Sequence, residues 1–169
     1  MPFVELNLKF NLKGITELHP TIDILTYKWH IKFRCTECRR ATDDWQYVIA
    51  GIQDEIPGGK GWAHLVDKCK RCYRVNTLKI YMHTYEKYMI EKNEELQPMI
   101  AFECNGIELL DFDPRGGWLA YGVGTGTFFS DINLTRRMWS GYDARSKERV
   151  KISKMIVRFL PVEEISEEY

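Results

Sequence analysis

The sequence predicts an all-β protein, sandwich-like or barrel-like. Three observations carry that prediction. Apolar and polar residues alternate with a period of two over long stretches. No segment sustains the 3.6-residue period of an amphipathic helix for three turns. Eight Phe, nine Tyr and five Trp supply aromatic side chains of the kind that pack well on pleated, half-buried surfaces.

In chain order, Val4, Leu6, Leu8, Phe10 and Leu12 alternate with Glu5, Asn7, Lys9, Asn11 and Lys13, which reads as a half-buried strand. Leu25, Tyr27, Trp29, Ile31 and Phe33 alternate in the same way with Thr26, Lys28, His30, Lys32 and Arg34, in a strand that runs directly into Cys35. Further strands are predicted over residues 45–52, 78–85, 99–104, 123–129 and 150–160. In the last of these, Val150 and Ile152 share a phase with Lys154, whereas Met155, Val157 and Phe159 take the other, so a β-bulge is expected near Ser153. Gly58, Gly59, Lys60 and Gly61 read as a hairpin tip. A phosphate loop would need a glycine where Asp54 stands and a Ser or Thr after the lysine. The charged residues 86–97 suit a short helix or a solvated connector equally.

The chain also contains a faint echo of itself. Phe33-Arg34-Cys35 resembles Phe102-Glu103-Cys104, and Lys60-Gly61-Trp62 ahead of Cys69 resembles Thr125-Gly126-Thr127 ahead of Leu134. The organisation expected is a β half over residues 1–85, a connector over 86–98, a second β half over 99–160 and an acidic tail over 161–169, the halves forming one compact unit. Only the first half carries paired cysteines.

Charge excludes several function classes. Lys+Arg and Asp+Glu are both 24, which removes any global electrostatic case for a nucleic-acid or membrane-surface partner. The start MPFVELNLKF lacks a basic n-region and is interrupted by Glu5, Asn7 and Lys9, so it does not read as a secretory signal. No run approaches the length of a membrane-spanning helix. A cytoplasmic and/or nuclear protein with reduced thiols is expected.

The five cysteines carry the chemistry. Cys35-Thr36-Glu37-Cys38 and Cys69-Lys70-Arg71-Cys72 are two CxxC knuckles. Two intervening residues let both thiolates of a knuckle turn towards one point, and two knuckles supply the four soft donors of a closed tetrahedral zinc site. Iron accepts the same four sulfurs, and zinc is the favoured of the two. A thioredoxin-like redox pair would need a CxxC opening a helix in a βαβ setting, whereas strand-like sequence flanks both knuckles here. Cys38 and Cys69 are far apart in the chain, so each knuckle should end a different hairpin, and the metal should clamp two distant segments. With four donors present, no coordination position is left for substrate or water, and the expected metal is structural.

Arg34, Arg39, Arg40, Lys68, Lys70, Arg71 and Arg74 crowd the knuckles. From Lys28 to Arg74 there are ten Lys/Arg and six Asp/Glu. That excess fits cations offsetting the net negative charge of a four-thiolate zinc centre better than it fits a nucleic-acid footprint. Asp111, Asp113, Asp131 and Asp143 lie beside turn-forming residues and read as turn carboxylates rather than an acid–base pair. His19, His30, His64 and His83 are scattered, and none is needed as a ligand. Cys104 is left as a buried thiol.

The sequence resembles the eukaryotic CXXC-motif-containing zinc-binding proteins, a family long catalogued as of unknown function. The resemblance rests on CTEC at 35–38 followed by Asp44-Trp45-Gln46-Tyr47, GGKG at 58–61 and KCKRC at 68–72. The second half adds FECNGIELLDFDP at 102–114, FSDINL at 129–134, and Trp139 with Tyr142-Asp143. It implies zinc ligands at Cys35, Cys38, Cys69 and Cys72, one Zn²⁺ per chain, and two halves related by pseudo-two-fold symmetry with zinc only in the first. Thr36 replaces the glycine that often follows the family's first cysteine. The resemblance implies no enzymatic activity. The function expected is therefore a structural zinc-binding protein, a non-enzymatic scaffold or adaptor for another protein, with no membrane partner and no small-molecule substrate. The competing readings are a nucleic-acid-binding zinc module and a metal-handling or thiol-redox protein.

Overall fold

The computed structural model describes residues 2–165. Its strands are β1 (Phe3–Lys13), β2 (Ile15–His19), β3 (Lys28–Cys35), β4 (Gln46–Ile49), β5 (Asp54–Glu55), β6 (Trp62–Ala63), β7 (Leu65–Lys68) and β8 (Val75–Tyr81), then β9 (Gln97–Asn105), β10 (Ile107–Asp113), β11 (Trp118–Gly122), β12 (Phe128–Ile132), β13 (Trp139–Asp143) and β14 (Glu148–Pro161). The only helical pieces among the described residues are two 3-10 turns, Met82–Thr84 and Ile90–Lys92, and neither is long enough to cross a membrane. The fold is all-β, as the alternation predicts. A six-stranded sheet in the order β13-β14-β1-β9-β8-β7 curls into a half-barrel. Two three-stranded sheets, β10-β3-β4 and β12-β11-β2, accompany it.

Alternation in β1 puts Leu6, Leu8, Phe10 and Leu12 on the core face, each at most 3% exposed. In β3 the buried set is Trp29, Ile31, Phe33 and Cys35. Trp29, Trp118, Tyr88, Phe102 and Phe112 fill the interior with edge-to-face and tilted ring contacts. The bulge expected near Ser153 is present: Lys9 pairs with Ile156 but Asn11 with Ser153, and Lys154 takes φ +55°.

The sheet order is symmetric about the β1–β9 pair, and the pairing of β1 with both β9 and β14 interlocks the halves. The continuous β1–β2 segment pairs with β14 and β11, while its counterpart β9–β10 pairs with β8 and β3, so β1–β2 with β11–β14 form one lobe and β3–β10, which carries the cysteine pairs, the other. The internal repeat therefore lies in a different register from the echo read in the sequence. Phe10-Asn11-Leu12-Lys13-Gly14-Ile15 matches Phe102-Glu103-Cys104-Asn105-Gly106-Ile107, with Gly14 and Gly106 both at positive φ where the chain passes from one sheet into another. Cys104 pairs with Leu78 as Leu12 pairs with Ile152, so its counterpart is Leu12 and not Cys35. Phe33-Arg34-Cys35 corresponds instead to Ala120-Tyr121-Gly122: Arg34 bridges Ala41 as Tyr121 bridges Phe128. A three-residue match containing a shared Phe and Cys was too short to set the register.

Residues 86–96 form no regular helix longer than the single 3-10 turn, yet they are held tightly. Tyr88, 1% exposed, donates its hydroxyl to the Glu95 carbonyl (2.7 Å) and accepts from the Phe10 amide (3.2 Å). Asn93 accepts from the Leu12 amide (2.7 Å) and donates to the Leu12 carbonyl, and Gln97 donates to the Met89 and Lys92 carbonyls. Tyr88→Phe removes one hydroxyl and takes a partner from the buried Phe10 amide and from the Glu95 carbonyl. It is expected to destabilise the fold by about 1–3 kcal/mol, read from the denaturant midpoint at unchanged slope.

Candidate metal centre

Cys35 ends β3, and Cys69 and Cys72 lie in the turn between β7 and β8. Because β3 and β7–β8 belong to different sheets, the knuckles meet where the two sheets approach each other. Each knuckle is closed by the same pair of backbone bonds. The Cys35 amide donates to the Arg40 carbonyl and the Arg39 amide to the Cys35 carbonyl; Cys69 with Arg74, and Tyr73 with Cys69, repeat the pattern, all at 2.9 Å. Arg39 (φ +68°) and Tyr73 (φ +64°) adopt the left-handed conformation that turns each chain back on itself.

The four sulfurs lie within 4.8 Å of one another, with Cys35 Sγ 3.7 Å from Cys72 Sγ and Cys38 Sγ 3.5 Å from Cys69 Sγ. A tetrahedron with metal–sulfur bonds of about 2.3 Å has edges of about 3.8 Å, so the spacing fits one zinc ion. The same distances are far beyond the roughly 2.05 Å of a disulfide. Cys35 and Cys69 are buried, whereas Cys38 and Cys72 are half-buried.

Backbone amides do most to stabilise the thiolates. Cys35 is held down to about 6, first by the Cys38 amide, then by the Asn76 side chain and the Glu37 amide working against burial. Cys69 is lowered by the Cys72 and Arg71 amides. Cys72 goes the other way, to about 12: the Arg74 amide lowers it, but burial and the thiols of Cys35, Cys69 and Cys38 crowding it prevail. Four thiolates do not coexist in so small a volume without a cation, and metal binding there displaces protons.

Several of the surrounding cations have partners of their own. Arg34 and Arg39 pair with Glu108 (3.9 and 3.7 Å), Arg74 with Glu37 (3.3 Å) and Arg40 with Asp43 (3.3 Å), while Lys68 lies over the Tyr73 ring. They meet neighbouring carboxylates and an aromatic face.

Two residues of the site were not legible as such. Asn76 on β8 is fully buried, and neither its Nδ2 nor its Oδ1 has a hydrogen-bond partner of ordinary geometry, although its amide acts on the Cys35 thiolate. Gly106, between β9 and β10, accepts from the Thr36 amide (3.0 Å) through its carbonyl. At φ +78°, a Cβ on Gly106 would collide with Asn76 Oδ1 and stand 2.9 Å from its Cγ. Asn-Gly pairs and an isolated Asn on a strand are common signals with no metal meaning. Their role follows only from β8 and β9 being neighbours next to β3.

The second half rebuilds both knuckle turns without sulfur. The Gly122 amide donates to Thr127 and the Gly126 amide to Gly122, as at Cys35; the Lys147 amide donates to Asp143, as at Cys69. Gly126 and Lys147 take the positive φ of Arg39 and Tyr73. By this correspondence Gly122, Thr125, Asp143 and Ser146 stand at the positions of Cys35, Cys38, Cys69 and Cys72. Asp143, 1% exposed, accepts from Thr125 Oγ1 (2.6 Å), Thr127 Oγ1 (2.7 Å) and the Arg145 amide (3.0 Å). These bonds, that from Thr125 first, lower its carboxyl. A hydrogen-bonded carboxylate thus ties together in one half the two turns that the thiols bring together in the other. The neighbouring carboxylates are structural too: Arg137 binds Asp111 (3.2 Å), Arg115 binds Asp113 (3.0 Å), and Trp118 Nε1 donates to the Pro114 carbonyl (2.7 Å).

Residues 5–160 match the family described as "CXXC motif containing zinc binding protein, eukaryotic". A UPF0587 protein of Caenorhabditis elegans is 45% identical over 162 residues, 96% of each chain. The CXXC motif containing zinc binding protein of Homo sapiens is 38% identical over 157 residues, 93% of this chain and 97% of that one. Among solved structures, the crystal structure of C1orf123 superposes with a TM-score of 0.87 at 38% identity, covering 95% of this chain and 99% of that one. A hypothetical protein from Plasmodium falciparum shares the fold, with a TM-score of 0.80 at 23% identity over 94% of this chain and 99% of that one. With a match across nearly its whole length and four thiols gathered at one point, this chain belongs to the eukaryotic family of CXXC-motif-containing zinc-binding proteins.

Proposed function

We propose that Cys35, Cys38, Cys69 and Cys72 hold one Zn²⁺ per chain as a structural ion, and that the protein is a non-enzymatic scaffold or adaptor for another protein in the cytoplasm and/or nucleus. The observation that carries this reading is that four thiols drawn from two different sheets gather within 4.8 Å of one another. Such a donor set leaves no coordination position open, so the ion's contribution is to fasten β3 to β7–β8. A rigid body with a fastened junction is suited to presenting a surface. Affinity capture from nuclease-treated extract, with the zinc-loaded protein as bait, is expected to return a stoichiometric protein partner; capture only of nucleic acid-dependent material would overturn the adaptor reading.

A second reading has a specific observation in its favour. In the zinc half, Lys28 lies over Tyr47, Lys32 over Trp45, Lys68 over Tyr73 and Lys79 over Trp62, at 4.9 to 5.6 Å. Paired cations and aromatic faces are the components of a single-strand stacking platform. Binding of oligonucleotides at low salt that weakens as salt rises, and again on Lys32→Ala with Lys79→Ala, would support it. No binding at low salt would eliminate it.

A further inference from the structure

Asn76 presents a problem that the fold alone does not solve. A buried amide without full hydrogen-bond partners costs about 1–3 kcal/mol, yet Asn76 has no exposed surface and no ordinary partner for either end of its side chain. Its Oδ1 faces Gly106, where even a methyl group would not fit. Gly106 in turn accepts from the Thr36 amide, so the carboxamide stands beside the Cys35 turn.

The metal-free lobe of β1–β2 and β11–β14 offers an internal control. Gly14 stands in it at φ +75° where Gly106 stands in the cysteine-bearing lobe, and a Cβ on Gly14 would meet Val150 Cγ1 at 2.9 Å. Val150 pairs with Gly141 beside the Asp143 turn as Asn76 pairs with Asp67 beside the Cys69 turn. It is 1% exposed and apolar. The backbone therefore accommodates, and the core accepts, an apolar β-branched residue at this site. The polar side chain occurs only in the copy that has a sulfur beside it, for Cys35 corresponds to Gly122.

Resting on the reading that the four cysteines hold zinc, we infer that Asn76 is a positioning residue of the metal centre: wedged by Gly106, its amide N–H is aimed at the Cys35 thiolate and slows release of the ion. A thiolate bound to zinc keeps lone pairs that accept hydrogen bonds. A donor fixed in a buried site orients the sulfur and holds it in place on the ion. Removing such a partner of a metal ligand typically costs 10–100-fold in metal retention. Asn76 itself does not touch the ion.

The test uses the zinc-loaded full chain as wild type, Asn76→Val and Asn76→Asp. Zinc per chain is read by native mass spectrometry, zinc release by transfer to excess chromogenic chelator, and folding by thermal unfolding. Both variants are expected to release zinc about 10–100-fold faster. The melting temperature of zinc-loaded Asn76→Val should be unchanged or raised, because valine is the residue the second half uses at this position. Asn76→Asp keeps the shape of the side chain and decides the matter if the valine variant does not fold. Release within about twofold of wild type from either folded variant, or a fall in stability with release unchanged, would overturn the inference while leaving the zinc reading intact. A wild-type chain that carries no zinc would overturn both.

Discussion

Cys69→Ser is expected to lose zinc and, with it, the order of the junction between the two sheets. Structural zinc contributes about 10–16 kcal/mol in small zinc modules, against roughly 5–15 kcal/mol for the net stability of a whole domain. Serine removes one thiolate from a set in which the Cys38 and Cys69 sulfurs lie 3.5 Å apart. Native mass spectrometry should find one zinc per wild-type chain and none in the variant. Hydrogen exchange should then show protection lost first at the knuckles and at β4 and β7, the sheet edges nearest the site. Protection should persist longest where β1 pairs with β14, since that part of the six-stranded sheet lies in the half tied by Asp143. A variant that kept zinc, or lost it with no change in exchange, would show that the four cysteines do not hold the structure together.

Gly106→Ala should have the second-largest effect. A left-handed conformation costs a non-glycine residue about 1–2 kcal/mol, and here the added methyl must also displace the Asn76 carboxamide from a site with no free space. The combined cost is expected to be roughly 2–4 kcal/mol, or a melting temperature lower by roughly 5–15 °C. Gly14→Ala is the matched comparison, because its strain is similar but its neighbour is Val150. Both variants should be destabilised, and only Gly106→Ala should also release zinc faster. Equal zinc release from the two would mean that the Gly106 contact serves the fold alone.

How far the fold was legible depended on how much of each strand one periodicity governs. β1 was readable almost to the residue, and β3 from Lys28 onwards, because apolar and polar residues alternate there without interruption; Leu25 and Thr26, expected within this strand, lie in a turn instead. The phase change in β14 revealed its bulge for the same reason. β2, β7, β10, β11 and β13 were missed. β2, β7 and β13 are short, four of the five residues of β11 are buried, and in β10 a bulge between Leu109 and Asp111 together with the exposed Leu110 breaks the period of two. The strand expected over 123–129 is instead the turn that copies the cysteine knuckle, with β12 beginning at Phe128. Its Gly and Thr content reflects positive φ and Asp143 hydrogen bonding rather than strand pairing. Of the acidic tail, Glu167 and Glu168 lie outside the described residues.

The site divides in the same way. CxxC spacing is local chemistry: two residues between thiols suffice to turn both towards one point, so Cys35, Cys38, Cys69 and Cys72 could be named from the sequence as candidate metal ligands before any fold was known. Only tertiary structure could bring the two knuckles within 4.8 Å, because that depends on a β3 turn and a β7–β8 turn meeting across two sheets. It also decided that Asn76 and Gly106 belong beside the sulfurs, that the arginines pair with carboxylates, and that Gly122, Thr125, Asp143 and Ser146 repeat the knuckles without cysteine. Those relations join residues distant in the chain through hydrogen-bond registers and packing, and no local pattern encodes them. The sequence by itself determined which atoms could bind a metal and which faces are buried; the fold determined what stands next to them.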